Sequence, residues 1–160
     1  MSVPRITAAL ALIAGVAACG LTPTDGKHDF VPVGGDNLAS RAADHAVAMV
    51  GTPYRYGGVS PSSGFDCSGL VQYSYQRAGL ALPRQTDDQL RRGRHVSTSQ
   101  LLRGDLLFFD QDGKRASHVG VYLGGGKFVH APSTGKRVRV DSLDSAYWRR
   151  YLSDTRRYAD

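Results

Sequence analysis

The chain has 160 residues, of which 20 are Lys or Arg and 14 are Asp or Glu, so its formal net charge is +6 at pH 7. This length suits one folded domain with one core. The basic residues are spread along the chain in short groups, which favours a solvated basic surface. Attraction to an anionic polymer of a bacterial envelope is the functional alternative.

The first twenty residues have the pattern of an export signal. Arg5 precedes an apolar run over residues 6–16, which is shorter than the roughly 20 residues that a membrane-spanning helix needs. The run ends in VAACG at 16–20, which resembles the lipobox of bacterial lipoproteins, whose cysteine is acylated and becomes the mature N-terminus. We therefore predict a lipoprotein signal peptide at 1–18 and a lipid on Cys19. An ordinary signal peptide cut after an A-x-A-like site is the alternative.

The segment after Cys19 is polar, rich in Gly and Pro, and without periodicity. Residues 19–36 are therefore expected to form a lipidated N-terminus and a flexible tether, spanning about 20–25 Å root-mean-square. Such a protein belongs to the cell envelope, where a nucleic-acid partner is not expected. If the cell has two membranes, Gly20 is compatible with an outer-membrane lipoprotein that faces the periplasm, as in lipoproteins generally.

A folded domain is predicted over residues 37–160, beginning with a helix. Apolar residues recur at helical spacing from Leu38 to Val50, and Asn37 is a fair N-cap. Gly51 and the proline two residues later would stop this helix. The segment that follows, YRYGGVSPSSGFD, is expected to be a loop, and its length suggests a functional one.

Two more helices are expected before residue 100. One begins at Cys67, runs to about Ala78 and ends at Gly79, a glycine suited to a left-handed helix terminus. A shorter helix would begin at a Thr86 cap, with Gln89 closing a capping box.

From residue 105 the pattern changes to short runs rich in Val, Leu and Phe, separated by Gly, Asp and Pro. These runs predict antiparallel strands, the middle two joined through three consecutive glycines at 124–126. The C-terminal segment is expected to form a turn or short helix with a possible edge strand. Helices followed by strands indicate an α+β domain. The four runs are DLLFFD, SHVGVYLGG, GKFVHAP and RVRVDSL.

The second cysteine of the chain has no partner for a disulfide if Cys19 carries lipid. Cys67 would lie at a helix N-terminus, where unpaired backbone N–H groups and the macrodipole favour the thiolate. A pKa below the usual value of about 8.5 is therefore expected for Cys67. This placement favours a nucleophile over the alternative of a buried thiol that packs as a small hydrophobe.

A cysteine nucleophile requires a histidine base and a group that orients the base. His118 and His130 each lie in a predicted strand, and the two strands would form one hairpin that brings the rings together. The other three histidines are assigned to the tether, to a helix boundary and to a basic loop: His28, His45 and His95.

Six segments, in order and spacing, resemble the NlpC-type cell-wall cysteine peptidases. The resemblance covers about residues 37–158, and the Asp-Cys-Ser-Gly motif gains its specificity from the two histidine motifs downstream. It implies a papain-like fold, in which the helix that carries the cysteine packs on an antiparallel sheet, and cleavage of peptide bonds in peptidoglycan stem or cross-bridge peptides. The segments are YRYGG, FDCSGLVQYSY, LPRQTDDQ, RGDLLFFD, SHVGVYLGGGKFVHAP and YWRRYL.

The resemblance also implies a role for individual residues. Cys67 falls on the nucleophile, His118 on the base, and His130 on the third, polar position that orients the base. The implied reaction is acyl transfer through a thiolate–imidazolium pair, with no cofactor and no metal.

Three further positions are implied around the cysteine. Tyr56 falls on a tyrosine beside the oxyanion site, and Asp66 and Ser68 fall on positions that line the substrate groove. The expected partners are peptidoglycan and, through the N-terminal lipid, a membrane. The protein is expected to be a monomer.

Two alternatives have different chemistry. Cys67, His118 and His130 could be three zinc ligands of a hydrolase with an open fourth position, although closely spaced ligand pairs such as H-E-x-x-H are absent. A peptidase-like module could instead bind peptidoglycan without cutting it, although such modules usually lack the cysteine or the histidine, and both are present here.

Overall fold

The computed structural model of the protein describes residues 37–160. The expected signal peptide, the lipid on Cys19 and the tether lie outside the described residues and stay predictions. Within residues 37–160, the domain is α+β, as expected, with helices preceding a six-stranded antiparallel sheet. No helix in this part of the chain is both long enough and apolar enough to cross a bilayer.

The three N-terminal helices are α1 (Leu38–Val47), α2 (Cys67–Ala78) and α3 (Thr86–Arg92). The side chain of Asn37 accepts a hydrogen bond from the Ser40 N–H at 2.8 Å, so the expected N-cap of α1 is confirmed. Helix α2 has the expected bounds and ends at Gly79 with φ +107°, which L-residues with a side chain rarely adopt.

The capping box expected for α3 is wrong. Gln85 occupies the N-cap position and makes no side-chain cap bond. The side-chain amide of Gln89 instead donates to the carbonyl oxygens of Ser68 at 3.1 Å and Pro83 at 2.8 Å. Gln89 is fully buried, so its side-chain N–H groups need hydrogen-bond partners inside the protein. The bond to the Ser68 carbonyl supplies one and connects α3 to the first turn of α2.

The main sheet has the strand order β3-β8-β4-β5-β6-β7, and all its pairings are antiparallel. A separate two-residue pair, β1 (Val59–Ser60) with β2 (Gly64–Phe65), lies in the segment expected to be only a loop. Strand β8 is covered by β3 on its outer side, so the expected edge position is wrong. The main strands are β3 (Arg94–His95), β4 (Leu106–Gln111), β5 (Lys114–Gly124), β6 (Lys127–His130), β7 (Arg139–Ser142) and β8 (Leu152–Arg157).

Apolar side chains of β4 are buried on both faces of the sheet. Leu106 and Phe108 belong to the core that includes α1 and α2, whereas Leu107 and Phe109 pack with Trp148 of α4 (Ala146–Tyr151) on the other face. Full burial of each such side chain contributes about 1.5–3 kcal/mol. The sheet therefore has a helix layer on one face and an aromatic cluster under α4 on the other.

The first turn of α2 lies against the loop that precedes it. A Cβ added at Gly69 would lie 2.0 Å from the carbonyl oxygen of Gly58, so only glycine fits there. Asp66 is the N-cap of α2 and accepts from the Gly69 N–H at 2.7 Å and the Gly57 N–H at 2.9 Å. The glycine at position 69 is required by this packing.

Candidate active site

Cys67 lies at the first position of α2, and its thiol reaches strand β5. The backbone N–H groups of Val119 and Ser68 donate to the thiol, and Thr86 Oγ1 lies 3.9 Å from the sulfur. Because Val119 directly follows His118, the sulfur is held beside the strand that carries this histidine. The residue keeps part of its surface exposed, and the thiol is free.

His118, His130 and Asp141 form a chain of hydrogen bonds that begins on this strand. The His118 Nε2 and His130 Nδ1 atoms are 2.8 Å apart, and His130 Nε2 lies 3.0 Å from Asp141 Oδ2. The three residues lie on the adjacent strands β5, β6 and β7, whose antiparallel pairing aligns them. The hairpin was expected to bring the histidines together, and this expectation is confirmed.

Aromatic side chains exclude water from the two imidazoles. The Trp148 indole is stacked on His118 with ring centroids 5.7 Å apart. The rings of Trp148 and His130 meet edge to face with centroids 4.8 Å apart. Phe109 and Phe128 complete the enclosure at 5.9 Å from His118 and 4.9 Å from His130, respectively. Both histidines are almost completely buried as a result.

Burial keeps both imidazoles neutral. The pKa of His118 falls from 6.5 to about 3, chiefly through burial and in smaller part through the neighbouring His130, while Asp141 opposes the change. The pKa of His130 falls to about 4, chiefly through burial, although the hydrogen bond that His130 makes to the Asp141 carboxylate raises it. An imidazole that is neutral over the physiological range can accept a proton, which is the requirement for a general base.

The pKa of Cys67 shifts in the direction opposite to our expectation. Burial of the thiol raises its pKa, and the hydrogen bonds from Val119, Thr86 and Ser68, which lower it, do not compensate. The helix N-terminus thus acts in the expected direction but is outweighed by desolvation. The resting site therefore holds a neutral thiol and a neutral imidazole, and the thiolate–imidazolium pair expected from the sequence is wrong as a description of the resting state.

The tyrosine beside the thiol is Tyr54. Partial burial raises the pKa of Tyr54, and the negative charges of Cys67 and Asp66 raise it further. Tyr54 lines the same cleft as Cys67. Tyr56, the tyrosine expected at the oxyanion site, is 90% exposed at the rim of the same cleft. A turn closed by the Gly58 N–H and the Arg55 carbonyl separates the two tyrosines and directs Tyr56 outward.

Asp66 and Ser68 line the cleft as expected, but each is also bound by another side chain. Arg84 donates to Asp66 Oδ2 and, at 2.8 Å, to Ser68 Oγ. Ser68 is 4% exposed, so its hydroxyl serves first to hold Arg84. Arg84 places a positive charge at the cleft beside Cys67.

The cleft in front of Cys67 has a volume of about 420 Å³ and a mainly polar lining. Ser117 contributes from β5, next to His118. The preceding Ala116 has φ +46°, a strained conformation for alanine, and the Asp110 carboxylate holds its N–H at 2.7 Å. The register of β4 with β5 shifts at this point, between Phe109 and Gln111.

The zinc alternative does not fit this geometry. His118 and His130 use facing ring nitrogens to contact each other, and the remaining nitrogen of His130 contacts Asp141. The two rings therefore cannot offer lone pairs to one ion together with Cys67. Residues 37–160 contain no group of three or more His, Cys, Asp or Glu side chains arranged to hold a metal.

Four residues of the site were missed from the sequence: Tyr54, Arg84, Asp141 and Trp148. Tyr54, Arg84 and Trp148 lie in the quoted segments YRYGG, LPRQTDDQ and YWRRYL, so a signal was available for these three. Asp141 reaches His130 through the pairing of β6 with β7. This contact leaves no local pattern in the sequence.

Comparison with known proteins agrees with this geometry. The sequence pattern of the NlpC/P60 family matches residues 51–157. The murein DD-endopeptidase MepH of Escherichia coli is 42% identical over 120 residues, which are 72% of this chain and 44% of MepH. The bifunctional muramidase/DL-endopeptidase CwlT of Bacillus subtilis is 40% identical over 109 residues, which are 67% of this chain and 32% of CwlT.

Solved structures match the same part of the chain. A protein of Staphylococcus aureus, described as similar to lipoprotein and of the NLP/P60 family, superposes with a TM-score of 0.68 and 38% identity. The match covers 75% of this chain and 41% of that protein. The chain thus spans less than half the length of each of these three relatives.

Proposed function

Because the chain belongs to the NlpC/P60 family, we propose that it is a cysteine endopeptidase that hydrolyses peptide bonds in the stem or cross-link peptides of peptidoglycan. The observation that carries this proposal is the contact between the Cys67 thiol and the backbone beside His118, at the mouth of a polar cleft. The names of the relatives MepH and CwlT support peptidoglycan as the substrate.

The reaction starts from the neutral thiol. His118 removes the proton from Cys67 as the sulfur attacks the scissile carbonyl carbon, so the charged pair forms along the reaction path and is not present beforehand. A tetrahedral oxyanion results, and its collapse expels the amine, which takes the proton from the His118 imidazolium. Water, deprotonated by His118, then hydrolyses the thioester and restores the thiol.

Two donors are suited to the oxyanion. The Cys67 N–H is one of the first N–H groups of α2, which have no carbonyl partner within the helix. The hydroxyl of Tyr54, which lines the same cleft as Cys67, replaces that of Tyr56 as the second donor in this proposal. A single donor of this kind is worth about 3–4 kcal/mol of transition-state stabilisation.

The domain acts from a membrane anchor in this proposal. The lipobox-like end of the apolar segment supports acylation of Cys19, and the tether then keeps a monomeric domain near its substrate. In a cell with two membranes, the site of action is the periplasmic face of the outer membrane.

Digestion of purified murein sacculi tests the proposed activity. The full chain is incubated with sacculi, and released muropeptides are identified by mass spectrometry. Products cut between D-glutamate and diaminopimelate, or between diaminopimelate and D-alanine, support the proposal and identify the bond. Retention on sacculi without any released product would instead support a binding module.

A chelator and a thiol alkylator provide the matched controls. Iodoacetamide should abolish the release of muropeptides, and EDTA should leave it unchanged. Loss of activity in EDTA that added Zn²⁺ restores would contradict the cysteine mechanism and support the zinc alternative.

A further inference from the structure

The carboxylate of Asp141 is surrounded by hydrogen-bond donors. Its Oδ2 atom lies 3.0 Å from His130 Nε2, 3.0 Å from Trp148 Nε1 and 2.8 Å from Arg139 Nη2 of the guanidinium group. Arg139 Nε also donates to both carboxylate oxygens at 3.1 Å. Partial burial raises the pKa of Asp141, but the bonds from Arg139 and His130 outweigh it and hold the pKa below its usual value, so the group stays ionised.

The ionised carboxylate determines which nitrogen of His130 carries the proton. A carboxylate only accepts hydrogen bonds, so His130 Nε2 must be the donor. A neutral imidazole has one N–H, so His130 Nδ1 is an acceptor, and His118 Nε2, 2.8 Å away, must then donate to it. His118 Nδ1 is left as the one nitrogen of that ring with a free lone pair.

We propose that Asp141 is a positioning residue of the site, which fixes the tautomers of both histidines so that His118 Nδ1 is the atom that accepts the Cys67 proton. The inference rests on the proposed peptidase function. Without this anchor, His130 could carry its proton on Nδ1 and donate to His118 Nε2. His118 would then carry its own proton on Nδ1 and could not act as a base.

Two substitutions separate the hydrogen bond from the charge. Asp141→Asn keeps an acceptor: its amide oxygen takes the Oδ2 place, where His130, Trp148 and Arg139 all donate. Asp141→Ala removes the acceptor. Asp154→Ala is the matched control, because Asp154 also accepts from a histidine and an arginine, His95 and Arg156, away from the cleft.

Turnover of a purified muropeptide gives the first readout. Asp141→Ala should lose about 10²-fold in kcat with little change in KM, because the base is lost in part while the cleft is intact. Asp141→Asn should stay within about 10-fold of the wild type, and Asp154→Ala should equal it. An Asp141→Asn variant as impaired as Asp141→Ala, or an Asp141→Ala variant with wild-type kcat, would overturn the proposal.

Nitrogen-15 NMR of the histidine side chains gives a readout independent of activity. At pH 7 the wild-type protein should show His118 and His130 both protonated on Nε2 alone, and Asp141→Ala should show a mixture of tautomers. A proton on Nδ1 of either ring in the wild type would overturn the proposal, whether or not any variant folds. If the wild type has these tautomers but cleaves no peptide, the proposed function fails while the positioning by Asp141 stands.

Discussion

At the scale of single residues, the two histidines differ in what a substitute must supply. In the proposed mechanism His118 transfers a proton, whereas His130 only accepts the hydrogen bond that we infer His118 Nε2 to donate. His118→Asn should therefore lose nearly all turnover, because an amide has no titratable nitrogen. General-base action is worth about 10²–10⁴-fold, so steady-state kinetics on a muropeptide will resolve the loss.

The matched substitutions at the second histidine should be milder. His130→Asn offers an amide oxygen to His118 Nε2 and should keep a measurable fraction of turnover, whereas His130→Ala offers no acceptor and should fall further. Circular dichroism checks that each variant is folded. A folded His130→Asn variant as inactive as His118→Asn would show that the two roles are wrong or reversed.

The thiol of Cys67 should ionise at a higher pH than an ordinary cysteine. Burial raises its pKa, so the thiolate is disfavoured at neutral pH. The rate of iodoacetamide alkylation should continue to rise above pH 8.5, the usual midpoint being about that value. Free cysteine measured in parallel is the control, and full reactivity of Cys67 well below pH 8.5 would contradict this account.

At the scale of elements, the approach of α2 to its preceding loop sets the place of the nucleophile. A methyl group at Gly69 would meet the Gly58 carbonyl oxygen, so Gly69→Ala must displace either the helix or the loop. We expect a loss of about 3 kcal/mol in the free energy of unfolding, measured by urea denaturation, together with a lower kcat.

Gly135→Ala separates the steric effect from backbone strain. Gly135 has φ +80°, but nothing lies within 4 Å of an added Cβ, so only the conformational penalty of about 1–2 kcal/mol applies. If Gly69→Ala costs no more than Gly135→Ala and keeps wild-type kcat, the close contact does not position α2.

Sequence-based predictions that depend on interactions between residues near each other in the chain were mostly correct, and several that depend on contacts between distant residues were missed or wrong. Helix α2 and the β5–β6 hairpin were predicted correctly because helical periodicity, a terminal glycine and three linking glycines are local signals. The contact of Asp141 with His130 depends on the pairing of β6 with β7, and the exposed position of Tyr56 depends on the conformation of one turn. Local sequence patterns determine neither of these features. The sign of the Cys67 pKa shift was wrong because desolvation depends on the packing of the entire site.

At the scale of the whole molecule, the buried histidines link folding to pH. Their pKa values are about 3 and about 4 in the folded protein and about 6.5 in the unfolded chain, so the unfolded chain binds more protons below pH 6.5. The contribution of the two buried histidines to the free energy of unfolding is therefore complete above pH 6.5, and it is lost as the pH falls toward 3. Each histidine contributes a slope of about 1.4 kcal/mol per pH unit over this range.

Urea denaturation between pH 7 and pH 4 measures this slope. His130→Asn should flatten the dependence, because the variant lacks the buried neutral imidazole. Equal slopes for the wild type and His130→Asn would contradict the buried neutral state of His130.

Anchoring is tested on the whole chain in a bacterial host. Cys19→Ala should leave an unprocessed precursor and abolish labelling with a fatty-acid probe, because the residue that we propose to be acylated is absent. The matched control Cys67→Ala keeps Cys19 and should be processed and labelled as the wild type is. A mature Cys19→Ala protein of unchanged size, with an equally unlabelled wild type, would show that no lipid anchor exists.

The central claim is that Cys67 is the nucleophile of a peptidase, and turnover of the same muropeptide by the wild type and by Cys67→Ala tests it most directly. The variant should fold as the wild type does, because the thiol makes only weak contacts, and its turnover should fall by at least about 10⁴-fold. A folded Cys67→Ala protein that cleaves the peptide at a rate near that of the wild type would contradict the account.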